Sequence, residues 1–179
     1  MPAILQLIRE LADYEHELNS VEATEEKLLA TIAFAPSSDQ TPGSTETDPA
    51  AKTEPISATR PARCLILFDG ETGEPGGIAL YFYNYSTWRA RPGIYLEDLF
   101  VRETHRKKGY GKRLLVELAK EVVAMQGGRL DWSVLKWNEP SIRFYEDIIG
   151  AKMMSEWVGM RVDGDGLTKL AGLLDGASS

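Results

Sequence analysis

The chain has 179 residues, 43% of them hydrophobic and 26% charged, which suits one ordinary α/β domain with a substantial core. Lys and Arg number 20 against 27 Asp and Glu; the formal net charge of −7 argues against general nucleic-acid binding and favours a cationic partner or plain solubility. A single cysteine, Cys64, excludes an internal disulfide framework and fits a reducing compartment. With no leader pattern and no apolar run long enough for a bilayer, the expected location is the cytoplasm, without membrane or nucleic-acid partners.

Residues 3 to 18 have helical spacing: Ile4, Leu7, Ile8, Leu11 and Ala12 make one face, and Tyr14, Glu15, His16 and Glu17 follow at the end. Thr24 and Lys27 have the spacing of a capping box, although Lys is the wrong partner for the return bond. A second helix over residues 25 to 33 carries Leu28, Leu29 and Ile32. The composition then changes. Residues 36 to 63 hold no aromatic and five of the chain's nine prolines. Such a run cannot bury enough apolar surface to offset its ordering entropy, so a disordered polar insertion is expected at about 36–63, inside a single domain spanning 1–179. A strand over residues 64 to 68, a turn over 69 to 76 and a hairpin partner over 77 to 85 come next. Tyr81 and Phe82 are expected to pack on the sheet. Tyr85 and Trp88 are placed past the strand, where an aromatic has less packing reason to exist.

The stretch from Tyr95 to Lys112 carries the most information. Tyr95, Leu96, Leu99, Phe100 and Val101 form an apolar, aromatic and β-branched run, as in a buried strand. Glu97 and Asp98 interrupt it, and acids there need partners or a job. Strict alternation sends these two to opposite faces. Then Arg106-Lys107-Lys108-Gly109-Tyr110-Gly111 sets two glycines in a basic cluster, where main-chain N–H groups can turn toward an anion. The periodic run Leu114, Leu115, Leu118, Ala119, Val122 and Val123 is a helix whose N-terminal dipole, worth roughly half a positive charge, points at the same anion. Gly127-Gly128 stops it. A strand over 129 to 135, a short helix over 141 to 149 capped by Asn138, a hairpin over 152 to 162 and a helix over 167 to 174 complete the chain. Rival glycine motifs fail: there is no third glycine at Leu114 for a dinucleotide fingerprint, and no P-loop. His16 and His105 show no metal pattern and are expected at the surface; no metal is expected.

The order strand, Arg-x-x-Gly-x-Gly, helix, strand, then Asn138-Glu139-Pro140-Ser141 leading to Phe144-Tyr145 and Gly150-Ala151 resembles a GCN5-related N-acetyltransferase (GNAT) domain. The resemblance is closer to the diamine acetyltransferase branch, the spermidine/spermine and thialysine N-acetyltransferases. Residues 8 to 15 carry it, with Tyr85-Ser86-Thr87-Trp88, Tyr95-Leu96-Glu97-Asp98 and Ser155-Glu156-Trp157. The Tyr-Ser-Thr-Trp string and Lys169-Leu170-Ala171-Gly172 look more like the thialysine member. The family strand that usually precedes the first helix has no counterpart here, the insertion at Pro36 is longer and more polar than the norm, and Lys136 stands where an acid is common.

The resemblance implies an α/β (α+β) fold with a mixed central sheet flanked by helices. It also implies acetyl-CoA as co-substrate, a homodimer, and acetyl transfer to a primary amine of a small cation such as thialysine, a lysine-like amino acid or a short polyamine. Arg106, Lys107, Lys108, Gly109, Tyr110, Gly111 and Lys112 would take the pyrophosphate. Leu99, Phe100 and Val101 would align the thioester arm, with Asn138 and Ser141 alongside. A lysine-type amine of pKa about 10.4 is neutral in only about one part in a few thousand at pH 7, a cost of roughly 4–5 kcal/mol. Glu97 is the expected base for that proton, and Tyr145 the expected acid for the leaving thiolate. Tyr14, Glu15, Tyr85, Trp88, Glu97, Asp98, Asp131, Trp132 and Glu156 are expected along the cation's path, with the aromatic rings as cation–π faces. Two other readings stay open: a CoA-binding interaction module without catalysis, and acetylation of protein or histone lysines.

Overall fold

The computed structural model describes residues 1–33 and 54–175. The chain divides into two compact units, Met1–Leu135 and Lys136–Ser179.

In the first unit, helix α1 (Pro2–Tyr14) opens with proline at its first turn, where a missing N–H leaves no intrahelical bond unmade. It is shorter than the expected 3 to 18. The chain leaves the helix at Glu15, and His16 takes a left-handed φ of 63°. Helix α2 (Glu25–Thr31) is capped by Thr24, whose Oγ1 accepts from Lys27 N at 3.2 Å, while the Lys27 ammonium turns to the Glu22 carbonyl at 2.9 Å. The capping half of the expected box therefore forms, and its return bond does not. Most of the expected insertion falls outside the described residues. Its last part is described: Arg60 donates to Glu54 Oε1 at 2.6 Å and to the Ile32 carbonyl at 2.8 Å, so the chain re-enters against the end of α2.

Strands β1 (Ala62–Phe68), β2 (Pro75–Ser86), β3 (Arg91–Val101) and β4 (Leu130–Trp132) form one sheet in that order. The first three are antiparallel, and β4 joins β3 in parallel, as expected for a strand reached through a crossover helix. That helix is α3 (Tyr110–Ala124). Tyr85 stands within β2, opposite Pro92, and not past its end; Trp88 is in the turn and 90% exposed. The strand expected over 129 to 135 is only three residues long, because it pairs only with Ile94, Tyr95 and Leu96.

The two faces of the sheet are covered differently. Ile4, Leu28 and Ile32 pack with Cys64, Ile66 and Leu80 on one side, beside a cluster of Leu7, Ile78 and Phe100. Full burial of a side chain such as Leu7 contributes about 1.5–3 kcal/mol. On α3, Leu114, Leu115, Leu118 and Val122 are buried. Glu121 of that helix accepts from Tyr81 Oη at 2.6 Å and from Tyr83 Oη. So Tyr81 packs as expected, and its polar end is satisfied. Phe82 stacks on Tyr95 with ring centroids 5.1 Å apart.

In the second unit, Asn138 caps helix α4 (Glu139–Arg143), its Oδ1 accepting from Ser141 N at 3.3 Å. The helix widens into a π-type turn, Phe144–Ile149, and ends at Gly150 with φ 77°. The hairpin expected over 152 to 162 is absent: these residues form no strand. A two-stranded hairpin alone is at best marginally stable, and the described residues of this unit hold no strand for it to join. Helix α5 (Asp165–Ala171) replaces the expected 167 to 174. Among the described residues, no helix is long and apolar enough to cross a membrane.

Candidate active site

Three features of the first unit converge on the C-terminal end of β3. The first is an open strand edge. Since β4 pairs with β3 only as far as Leu96, residues 97 to 101 have no strand paired to them on that side among the described residues. Leu99, Phe100 and Val101, expected along the thioester arm, lie on this stretch.

The second is a bulge. Leu80 pairs with Asp98 and Tyr81 with Leu96, so Glu97 is the extra residue on β3. Alternation therefore breaks where two acids were expected to part. Asp98 stands opposite Leu80, on the face that packs against α1 and α2, while Glu97 is exposed. Burial, then the charges of Glu97 and of Glu15 at the end of α1, push the Asp98 carboxyl up to about 6. Burial also raises Glu15. Among the described residues, no hydrogen-bond donor reaches Asp98. Asp98 thus lies in the field of two further carboxylates, Glu97 and Glu15.

The third is the turn into α3. A short 3-10 turn, Glu103–His105, leads to Arg106, Lys107 with φ 63° and Gly109 with φ 81°. A left-handed φ at lysine is strained, and such strain persists only where the surroundings over-determine it. Arg106 N bonds the Glu103 carbonyl at 3.1 Å, and Arg113 N the Gly109 carbonyl at 2.9 Å. Among the described residues, the N–H groups of residues 107 to 112 have no acceptor. These amides, the exposed ammonium groups of Lys107 and Lys112, and the start of a 15-residue helix together could receive an anion. The Arg106 side chain has other work: its Nε donates to the Val101 carbonyl at 3.2 Å, and its guanidinium lies 5.0 Å from the Tyr14 ring centroid. Beside it is a surface concavity of about 450 Å³, to which Tyr14, Phe100, Arg102, His105 and Arg106 contribute.

Lys108 and Tyr110 reach back to Asp69 in the β1–β2 turn, at 2.9 and 2.7 Å. His105, expected at the surface, is buried beneath this contact, with Nε2 3.7 Å from Asp69 Oδ2. The sequence reading missed Asp69 altogether. Its one signal was an acid opening a glycine-rich turn, which is common.

Other expected residues lie elsewhere. Asp131 is paired with Arg129 at 2.7 Å and accepts from Asn84 Nδ2 at 2.9 Å. Trp132 is half-buried, in register with Leu96. Tyr85 is five pairs along β2 from Leu80, about 17 Å at strand rise, and by alternation on the face opposite Asp98. The structure thus does not bring Tyr85 to the three acids. Tyr145 and Glu156 belong to the second unit. Tyr145 is half-buried, its ring 5.4 Å from Phe144, and its carbonyl accepts from Ala151 N at 2.9 Å; Glu156 is exposed. Cys64 offers no thiolate: burial pushes it up to about 12.

The acetyltransferase (GNAT) family model matches residues 34–151. Thialysine N-epsilon-acetyltransferase of Bos taurus is 32% identical over 172 residues, covering 94% of this chain and 90% of that one. L-ornithine N5-acetyltransferase NATA1 of Arabidopsis thaliana is 45% identical over 91 residues, which are 51% of this chain and span only 40% of that relative. Among solved structures, an integron cassette protein from the mobile metagenome of V. cholerae superimposes with a TM-score of 0.58 at 30% identity, over 64% of this chain and 69% of that one. The chain belongs to the acetyltransferase (GNAT) family, as an N-acetyltransferase.

Proposed function

We propose that this enzyme transfers the acetyl group of acetyl-CoA to a primary amine of a small cation, with thialysine, ornithine and lysine-like amino acids ahead of longer polyamines. The observation that carries the reading is the row of unpaired amides at residues 107 to 112, next to the unpaired edge of β3. A pyrophosphate fits the first. An extended pantetheine arm fits the second, much as an added strand would. The arm then runs toward the bulge and its three acids.

The chemistry follows from those acids. A cationic amine is attracted to Glu15, Glu97 and Asp98 but must lose its proton before it attacks. Glu97 stands at the approach, and Asp98 behind it is the carboxyl whose surroundings favour a bound proton, so we assign it as the final acceptor. The neutral nitrogen attacks the thioester carbonyl, whose oxygen is taken by an N–H of Phe100 or Val101. The C–S bond breaks, Tyr145 gives its proton to the departing sulfur, and the second proton shed by the acylated nitrogen returns through solvent to Tyr145, leaving amide and free thiol. Asn138, as cap, and Ser141 hold the turn that leads to Tyr145. The thialysine and ornithine enzymes among the relatives support the substrate class. A homodimer is part of the reading: Met153, Met154, Trp157, Val158 and Met160 are exposed, and a second copy is their proposed cover.

The test is release of free CoA thiol over a panel of amines, amino acids and lysine peptides. Turnover on small diamino acids is expected, and activity on peptides alone would defeat the assignment. Tyr145→Phe is expected to lower turnover by at least about ten-fold with little change in acetyl-CoA affinity. Light scattering at catalytic concentration should give twice the chain mass.

A further inference from the structure

Asp69 is 2% exposed, yet it is charged. A buried carboxylate persists only with donors around it. Its two oxygens have different partners. Oδ1 accepts from Glu71 N at 2.9 Å and Thr72 N at 3.1 Å, inside its own turn. Oδ2 accepts from Tyr110 Oη at 2.7 Å and Lys108 Nζ at 2.9 Å, about forty residues away, with His105 Nε2 at 3.7 Å. The bonds from Tyr110, then Lys108, then the turn amides hold its carboxyl well below the usual carboxylate range. The first oxygen alone would stabilise the β1–β2 turn. The second works on the anion-binding turn.

Lys108 and Tyr110 flank Gly109, whose left-handed backbone makes the bend. Both side chains are drawn to one oxygen, so the main chain between them has little freedom. Contact from below removes more. A Cβ on Gly76, at the start of β2, would lie 3.0 Å from His105 Cδ2 and 3.4 Å from Tyr110 Cε2, so any side chain there would press these rings by a few tenths of an ångström.

We propose that Asp69 is a positioning residue for acetyl-CoA: through Lys108 and Tyr110 it fixes the turn whose free amides receive the pyrophosphate. The proposal rests on the acetyl-CoA reading above. It also reassigns Lys108. This lysine sits in the basic cluster as if to grip phosphate, but its ammonium is committed to Asp69, and it acts on the cofactor through that contact.

The experiment measures acetyl-CoA binding by calorimetry and steady-state kinetics with the best amine, on the full chain. In Asp69→Asn, which keeps an oxygen for the turn amides, Kd and KM for acetyl-CoA should rise by about ten-fold or more, with kcat and amine KM within about two-fold. Tyr110→Phe should show the same pattern at about three-fold. Lys108→Met should weaken binding alone but add little in the Asp69→Asn background, as for residues acting as a unit. If Asp69→Asn does not fold, Tyr110→Phe and the pair Lys108→Met with Tyr110→Phe carry the same criteria. A lowered melting temperature with unchanged acetyl-CoA KM would reduce Asp69 to a brace of its own turn and overturn the proposal. Additive losses would place Lys108 on the phosphate and overturn it too. Absence of acetyl-CoA binding in the unsubstituted protein would instead defeat the reading beneath it.

Discussion

Asp69 and Asp98 are both withdrawn from water on the same sheet-and-helix unit, and their surroundings drive them in opposite directions. Asp69 has hydroxyl, ammonium and main-chain donors on both oxygens, and its proton is expelled. Asp98 has no donor among the described residues and two acids nearby, and its proton is held to about 6. The same side chain is thus held ionised in one place and inclined to keep its proton in the other. The difference lies in the backbone. A tight turn presents its amides to Asp69, whereas a strand with a bulge presents only the next carboxylate to Asp98.

The comparison is broken most directly by neutralising each aspartate in turn. Asp98→Asn should lower turnover by about 10²–10⁴, as loss of a positioned base does, with acetyl-CoA affinity kept. Asp69→Asn should do the reverse, weakening acetyl-CoA with turnover kept. Rates of the unsubstituted enzyme at saturating substrate should fall as pH drops through about 6, where Asp98 takes its own proton. Identical signatures from the two variants would show that the two sites are not separate in function.

How far this division was visible in the sequence depends on range. The amphipathic faces of α1 and α3, the Thr24 and Asn138 caps and the glycine turn into α3 were legible, because each is decided within a few residues. The bulge at Glu97 was not. It is a relation between β3 and the Leu80–Tyr81 step of β2, and within β3 the two acids read as plain alternation. Asp69 was invisible for the same reason, its decisive partners being Lys108 and Tyr110. The hairpin expected at 152 to 162 failed: those residues form no strand, and a hairpin is settled by pairing between segments rather than by the run itself.

Asp98 also bears on stability. Its folded-state value lies above the ordinary 3.8, so the folded chain binds this proton more tightly than the unfolded chain does. Its contribution is therefore present below pH about 4 and is lost as pH rises to about 6. Relative to Asp98→Asn, the unsubstituted protein should lose about 1–3 kcal/mol across that window, the upper figure being the full shift at about 1.36 kcal/mol per unit. Urea melts at pH 4, 5, 6 and 7 would show it as a widening gap between the two proteins. A constant gap would mean that Asp98 is no more protonated when folded than when unfolded.

The smallest effect tests whether the three acids form one cluster. Burial is the largest cause of the Asp98 shift, Glu97 the second and Glu15 the third. Glu97→Gln should lower the acidic midpoint of the pH–rate profile, and Glu15→Gln should lower it less, since removing a nearby negative charge makes the ionised form easier to reach. Both displacements should shrink in high salt, because Glu97 is exposed and its field is screened. A displacement larger for Glu15 than for Glu97 would mean that the end of α1 lies closer to Asp98 than its own strand neighbour does. An unmoved midpoint in both variants would leave burial alone as the cause, and the amine's attraction to this end of β3 would then have to come from somewhere other than a shared field of three carboxylates.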